Sequence, residues 1–303
     1  MADTLLQITR QQSIESRYSR KNIDGYIRDA IAGNSDTQER IAKGVALLEQ
    51  WLAQPFYDSK KARLSQLEQL DLAELVTELF VGIAYVLQPQ LFTSVTAQLA
   101  GRMGFDDKKD SIQTVAEVLA VLCLTDAFDI TKADKFASLM LVSRIHLPPE
   151  LVKYIEQSEY LPPMVCEPLE LKGNYDSGYL SHRDSLILGN GNHHSGNICL
   201  DVLNKVNRVA LKLDIGFLLS LEEEPTFELD DAQKRDLWLE FQRKSNEMYL
   251  LMHECGNEFY LTHKVDKRGR IYAQGYHINT QGTAFKQASI ELSKQELVTG
   301  VPT

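Results

Sequence analysis

Phe259-Tyr260-Leu261-Thr262-His263-Lys264-Val265-Asp266-Lys267-Arg268-Gly269-Arg270-Ile271-Tyr272-Ala273 alternates, breaks at a charged turn, and alternates again. Phe259, Leu261, His263 and Val265 interleave with Tyr260, Thr262 and Lys264, the period of two expected of a strand buried on one side. Asp266 and Gly269 stand at the first and fourth positions of a type I turn. From Arg270 the alternation resumes. Ile271, Ala273 and Gly275 fall on one face, and Arg270, Tyr272, Gln274 and Tyr276 on the other. A helix is expected from Ala284, with Phe285, Ala288 and Leu292 in register.

The turn has a definite chemical potential. Glycine allows backbone to approach a ligand closely. The planar guanidinium of Arg270 matches phosphate oxygens two at a time. Asp266 is placed to hold that fork, and Tyr272 offers a ring for stacking on a base or sugar. Between Phe259 and Ser289 there are five Lys plus Arg against one acid. Spacing alone is equally that of an exposed, charged hairpin turn.

Upstream, two diproline sites mark a boundary. Leu147-Pro148-Pro149 and Leu161-Pro162-Pro163 bracket a short helix, because proline lacks an amide donor and drives its predecessor out of helical space. Residues 1 to about 158 are expected to be almost wholly helical. Ser35 and Gln38 are spaced as a capping box, followed by Ile41, Val45, Leu48 and Leu52 on one face. Asp71 and Glu74 precede a strong stripe of Leu75, Val76, Leu79, Phe80, Ile83, Ala84 and Leu87. A third helix begins near Asp110, with Ile112, Val115, Leu119 and Leu122. The first residues, with Arg10, Arg17, Arg20, Lys21 and Arg28, suggest either a solvated arm or one that touches phosphate.

Beyond the boundary the character changes. Met164–Leu171 and Tyr179–Leu188 are expected to be extended, Gly189–Asn197 a turn-rich loop, and Ile198–Leu213 a helix. Glu222–Asp231 is an acidic linker, and Trp238, Phe241, Met248, Met252 and Cys255 mark another helix. The fold class is therefore α+β, mostly α.

Composition sets the outer limits. The 303 residues are 44% hydrophobic and 24% charged, ordinary for a globular chain with a sizeable core. A net charge of −10 argues against a polyanion-binding surface all round, while leaving room for a local basic face. Leu72–Leu87, the most apolar stretch, carries Glu74 and Glu78 and is too short to span a bilayer. Cys123, Cys166, Cys199 and Cys255 form no CxxC and are expected to be reduced thiols. His182, His193, His194, Cys166 and Cys199 lack zinc-site spacing, and His253-Glu254-Cys255 lacks the second histidine of HExxH. Neither GxGxxG nor GK[ST] occurs. No metal site is expected.

The DxxGR stretch from Asp266 to Arg270, with Gln281-Gly282 and Lys286 after it, resembles the corresponding region of the single-subunit DNA-dependent RNA polymerases of phages and mitochondria. Leu161-Pro162-Pro163-Met164-Val165-Cys166-Glu167-Pro168 resembles the segment that precedes it in that family. Leu203-Asn204 through Ala210-Leu211-Lys212-Leu213 resembles the intervening helix. The three blocks stand in the family's order over roughly Leu161 to Leu297; the first 158 residues match only in being helical. The family's later motifs, with two metal-binding aspartates, a nucleotide-selecting helix and a promoter-reading loop, have no counterpart before Thr303. That pattern resembles the small subunit of the heterodimeric phage RNA polymerases.

The resemblance implies a helical N-terminal domain over residues 1–160 and a partial polymerase palm with a small β-sheet over residues 161–303. It implies a subunit without catalytic residues of its own, paired with a larger polymerase subunit that supplies the aspartates. Mg2+ would be bound mainly by that partner and the nucleotide. Template DNA and the RNA–DNA hybrid would be held here by Asp266, Arg268, Gly269, Arg270, Tyr272, Gln281 and Lys286. A single-stranded-DNA-binding helper and a bacterial host cytoplasm belong to the same picture, without a membrane. The alternatives are a stand-alone nucleic-acid-binding regulatory module and a helical adaptor whose likeness is incidental.

Overall fold

The computed structural model of the protein describes residues 2–101, 107–132, 138–189 and 192–294. Asn190 and Gly191 of the turn-rich loop, and the end of the family likeness at Leu297, lie outside them. Two compact units result, one spanning Arg20–Glu156 and the other joining the residues before Arg20 to those from Gln157 onward. The first helix, α1 (Ala2–Tyr18), belongs to the second of these.

In the Arg20–Glu156 unit, α2 (Arg20–Ala32) buries Ile23, Ile27 and Ile31 at four-residue spacing, one face of a helix. Asn34 caps α3 (Ser35–Leu52), its side-chain oxygen accepting the Thr37 amide at 2.9 Å. The expected Ser35–Gln38 box does not form: Ser35 is already helical, and Gln38 donates instead to the Ile31 carbonyl at 3.0 Å. After α4 (Asp58–Leu64), α5 (Leu72–Ala84) is capped by Asp71, which accepts the amides of Ala73 and Glu74 at 2.8 and 3.1 Å. Leu75, Val76, Leu79 and Phe80 and every residue from Val81 to Ala84 are buried, so α5 is the central rod. Helix α3 crosses it at Gly44, where a Cβ would come within 2.9 Å of Leu122 and 3.2 Å of Val76. Helices α6 (Phe92–Ala100) and α7 (Lys108–Leu122) complete the core, with Val115, Val118, Leu119 and Leu122 inside.

This unit is not wholly helical. Strands β2 (Phe128–Lys132) and β3 (Leu139–Ser143) pair antiparallel from Phe128↔Ser143 to Lys132↔Leu139, and β1 (Gln90–Leu91) adds to the other side of β3. The physical signal lies in Phe128, Ile130 and Leu141, which put apolar side chains on the core at strand spacing. Pro149 then occupies the first turn of α8 (Pro149–Gln157), where a missing amide is harmless.

In the other unit, α1 is a packed helix, which corrects the expectation of an arm. Gln11 and Glu15 are fully buried. Gln11 accepts the Val165 amide at 2.8 Å and donates to Glu15 at 2.9 Å. Glu15 accepts the amides of Leu180 and Ser181 at 2.9 and 2.7 Å, fixing the irregular segment after Ser177. The helix expected over Ile198–Leu213 divides. Helix α9 (Leu200–Asn207) stops, and β4 (Leu211–Leu213) is a strand.

Helix α10 (Ile215–Ser220) is capped by Asp214, and the long α11 (Ala232–Glu254) by Asp231. Strands β5 (His263–Val265) and β6 (Ile271–Ala273) form the hairpin in the register His263↔Ala273, Lys264↔Tyr272, Val265↔Ile271. Helix α12 ends at Ala288 (range Ala284–Ala288), so Leu292 is not on it; Ile290–Leu292 is β7, antiparallel to β4. Asn257 clips β4 from the side, donating to the Leu213 carbonyl at 2.9 Å and accepting its amide at 3.1 Å. Phe259, Leu261, Met252 and Ile14 fill the core beneath. Among the described residues no helix is long and apolar enough to cross a membrane.

Candidate nucleic-acid interface

The β5–β6 hairpin closes through a three-residue loop. The Gly269 amide donates to the Asp266 carbonyl and the Asp266 amide to the Arg270 carbonyl, both at 2.9 Å. Gly269 has φ +82°, the left-handed conformation that ends a type I hairpin loop of this length. No atom stands within 4 Å of where its Cβ would be. Conformation, not crowding, therefore requires glycine here.

Asp266 organises the charged groups around it. One carboxylate oxygen accepts the amides of Arg268 and Arg270 at 2.9 and 3.1 Å. The other receives Nε and Nη2 of Arg270, each at 2.7 Å, and the Arg268 guanidinium at 3.2 Å. The Asp266 side chain is 15% exposed while that of Arg270 is 55% exposed, so the acceptor sits under the donor. Partial burial pushes the Asp266 carboxyl up, but the hydrogen bonds and charge of Arg270 prevail and hold it below the usual carboxylate range. The same contact raises the Arg270 pKa. Tyr272 lies on the same side, its ring centroid 5.5 Å from the Arg270 guanidinium carbon. The result is a fork fixed on one edge by Asp266 and bordered by the Tyr272 ring.

Gln281 and Lys286 do different things. Gln281 accepts the Ala273 amide at 2.9 Å and donates to the Ile271 carbonyl at 3.1 Å, pairing the open edge of β6 as a neighbouring strand would. Lys286 is nearly buried and donates to the Tyr276 carbonyl at 2.8 Å, with its ammonium 5.0 and 4.8 Å from the Phe241 and Tyr276 rings. Burial lowers its pKa, against the pull of Glu223. The structure thus gathers Asp266, Arg268, Gly269, Arg270 and Tyr272 at one tip and places Gln281 and Lys286 behind it.

Sequence reasoning missed the groups around Lys286. Tyr160 stacks on Tyr276 at 3.9 Å, Trp238 on Phe241 at 5.1 Å, and both Tyr160 and Trp238 line a cleft of about 390 Å³ that also holds Lys244. His277 is buried against Ser245, with its Nδ1 2.8 Å from the Ser245 hydroxyl. Burial, together with Lys286 and Lys244, pushes its pKa down to about 4. The spacing of Trp238 and Phe241 on α11 was legible, but their meeting with Tyr160, Lys244 and Tyr276 depends on chain paths that periodicity does not encode.

Among the described residues no three His, Cys, Asp or Glu side chains are grouped to hold a metal. The two carboxylates of the hairpin region, Asp266 and Asp184, are already engaged by Arg270 and Lys264 respectively. These donors do not fit a Mg2+ site. Cys123, Cys166, Cys199 and Cys255 are free thiols, and burial pushes the Cys166 pKa up to about 11, away from thiolate chemistry.

No family model matches the chain. Over 145 residues it is 31% identical to a protein of Gelasinospora sp. (strain G114) described as a probable DNA-directed RNA polymerase. The match takes in 43% of this chain and 17% of that protein. The chain is therefore similar over part of its length to a probable DNA-directed RNA polymerase, and it spans about a sixth of the curated relative it matches.

Proposed function

We propose that this protein is the smaller subunit of a two-polypeptide, phage-type DNA-directed RNA polymerase, and that its hairpin grips the template and the RNA–DNA hybrid. The observation that carries the reading is the Asp266–Arg270 clamp, an exposed guanidinium fixed from below on a rigid turn in a chain similar over part of its length to a probable DNA-directed RNA polymerase. A fork held by a carboxylate loses little freedom on meeting phosphate, so its charge-assisted hydrogen bonds are worth more than those of a free side chain. Tyr272 beside it supplies a flat face for a sugar or base. In this reading the nucleotidyl transfer itself belongs to the larger subunit, with Mg2+ held there and by the nucleotide. The role of this chain is to keep the hybrid in register while that chemistry proceeds.

Co-expression with the polypeptide of the same genome that carries the polymerase aspartate motifs tests this. The complex should extend an RNA primer on a DNA template, and neither chain should do so alone. Tight hybrid binding by this chain with no complex and no extension would instead support a stand-alone binding module.

A further inference from the structure

Helix α10 carries Ile215, Phe217, Leu218 and Leu219 within six residues, and none of the six is buried. With α11 it walls a cleft of about 830 Å³ whose lining includes Leu218, Leu219, Leu221, Phe241, Tyr249 and Leu250. Leu219 is 84% exposed and Leu250 is 56% exposed. Leu239 lies eleven residues before Leu250, three helical turns away on the same face, and is also exposed. Exposed leucines beside a charged border have the anatomy of an interface core and rim.

We propose that the α10–α11 cleft seats an apolar segment, flanked by lysine or arginine, of the larger catalytic polypeptide. The proposal rests on the two-subunit reading above and names the surface through which the subunits join. Charge selects the occupant. Glu222 and Glu223 border the cleft and begin a run, Glu222–Asp231, with six acids and no Lys or Arg. A second copy of this chain would bring the same acidic border against itself, whereas basic flanks would be attracted. Amphipathic segments recognise such grooves through apolar residues spaced by three and four positions.

The test uses the full chain and the co-expressed polypeptide that carries the aspartate motifs, with the dissociation constant measured at two salt concentrations. Leu219→Asp and Leu250→Asp should each weaken the complex at least tenfold without changing the melting temperature of the isolated chain. Leu219→Ser should give a smaller loss, and Glu222→Gln with Glu223→Gln should flatten the salt dependence. Leu124→Asp, at an exposed leucine of the Arg20–Glu156 unit, should bind as wild type. Wild-type affinity in both aspartate variants would overturn the cleft assignment and leave the two-subunit reading standing. Failure of the wild-type chains to associate would overturn that reading and the assignment with it. A dimer of this chain alone, abolished by Leu219→Asp, would give the cleft to a second copy and overturn the proposal.

Discussion

Asp266 binds the backbone of the turn with one oxygen and the Arg270 fork with the other, so the two duties can be separated. Asp266→Asn keeps an acceptor for the amides of Arg268 and Arg270 but turns a donor toward the guanidinium. Folding should survive, and hybrid binding should weaken by less than in Arg270→Ala. In Arg270→Ala the charge-assisted contacts to phosphate vanish. At about 1.5–3 kcal/mol for such a bond, hybrid affinity should fall by roughly tenfold to a hundredfold. Arg270→Lys should recover part of this, since an ammonium keeps the charge without the fork. The slope of affinity against salt in Arg270→Ala should lessen by about one phosphate contact, measurable by fluorescence anisotropy with a labelled hybrid. Because Arg270 is exposed, its removal should leave the melting temperature of the chain close to that of wild type. The Asp266 pKa is depressed in the folded chain, so whatever the pair contributes is present above the ordinary carboxylate range of about 3.9 and is lost only as pH falls below it. Gly269→Ala should destabilise by about 1–2 kcal/mol in urea titrations, from its φ of +82° rather than from any clash.

At the scale of elements, α1 shows how a buried polar pair can anchor a segment that composition marks as solvated. Glu15→Ala leaves the amides of Leu180 and Ser181 without acceptors, at about 1–3 kcal/mol each. Glu15→Gln keeps one acceptor oxygen and should lose less, and chemical denaturation of the two variants measures the difference. The junction of α11 with the segment after β6 carries a pH dependence. His277 has a folded pKa near 4, below the 6.5 of a free imidazole, so the unfolded chain binds more protons between these values. Stability should be full above about pH 6.5 and decline as pH falls toward 4. A thermal melt series in which His277→Gln flattens that decline checks it.

The hairpin, the Asp71 cap and the stripes of α5, α7 and α11 were legible in the residues because each follows from local period or turn chemistry. Strands β4 and β7 were not. Leu211–Leu213 and Ile290–Leu292 are three residues each, and they become strands only by pairing with one another across some eighty residues of chain. The same holds for β1–β3 inside a region of strong helical stripes. Within the candidate site, Asp266, Arg270 and Tyr272 are two to six residues apart, so their meeting could be read. Lys286 and Tyr160 are drawn together only by tertiary structure.

For the whole molecule, the division into Arg20–Glu156 and a unit that joins α1 to residues from Gln157 onward means that the hairpin and the α10–α11 cleft share one compact body. A partner bound at the cleft would thus be fixed relative to the Arg270 fork by one core, that of Phe259, Leu261, Met252 and Ile14. In the proposed two-subunit enzyme, this would let one chain hold nucleic acid while another reacts on it. Folding of the chain should not depend on metal, so a chelator should leave its melting temperature unchanged, as the free thiols and the engaged Asp184 and Asp266 suggest. The most direct test is primed RNA extension by complexes reconstituted from the aspartate-bearing polypeptide and either wild-type or Arg270→Ala chain, at matched assembly. The account predicts extension with the wild-type chain, none from either chain alone, and a tenfold to hundredfold fall with Arg270→Ala that narrows as salt is raised. Extension by the Arg270→Ala complex at the wild-type rate and with the wild-type salt response would contradict it.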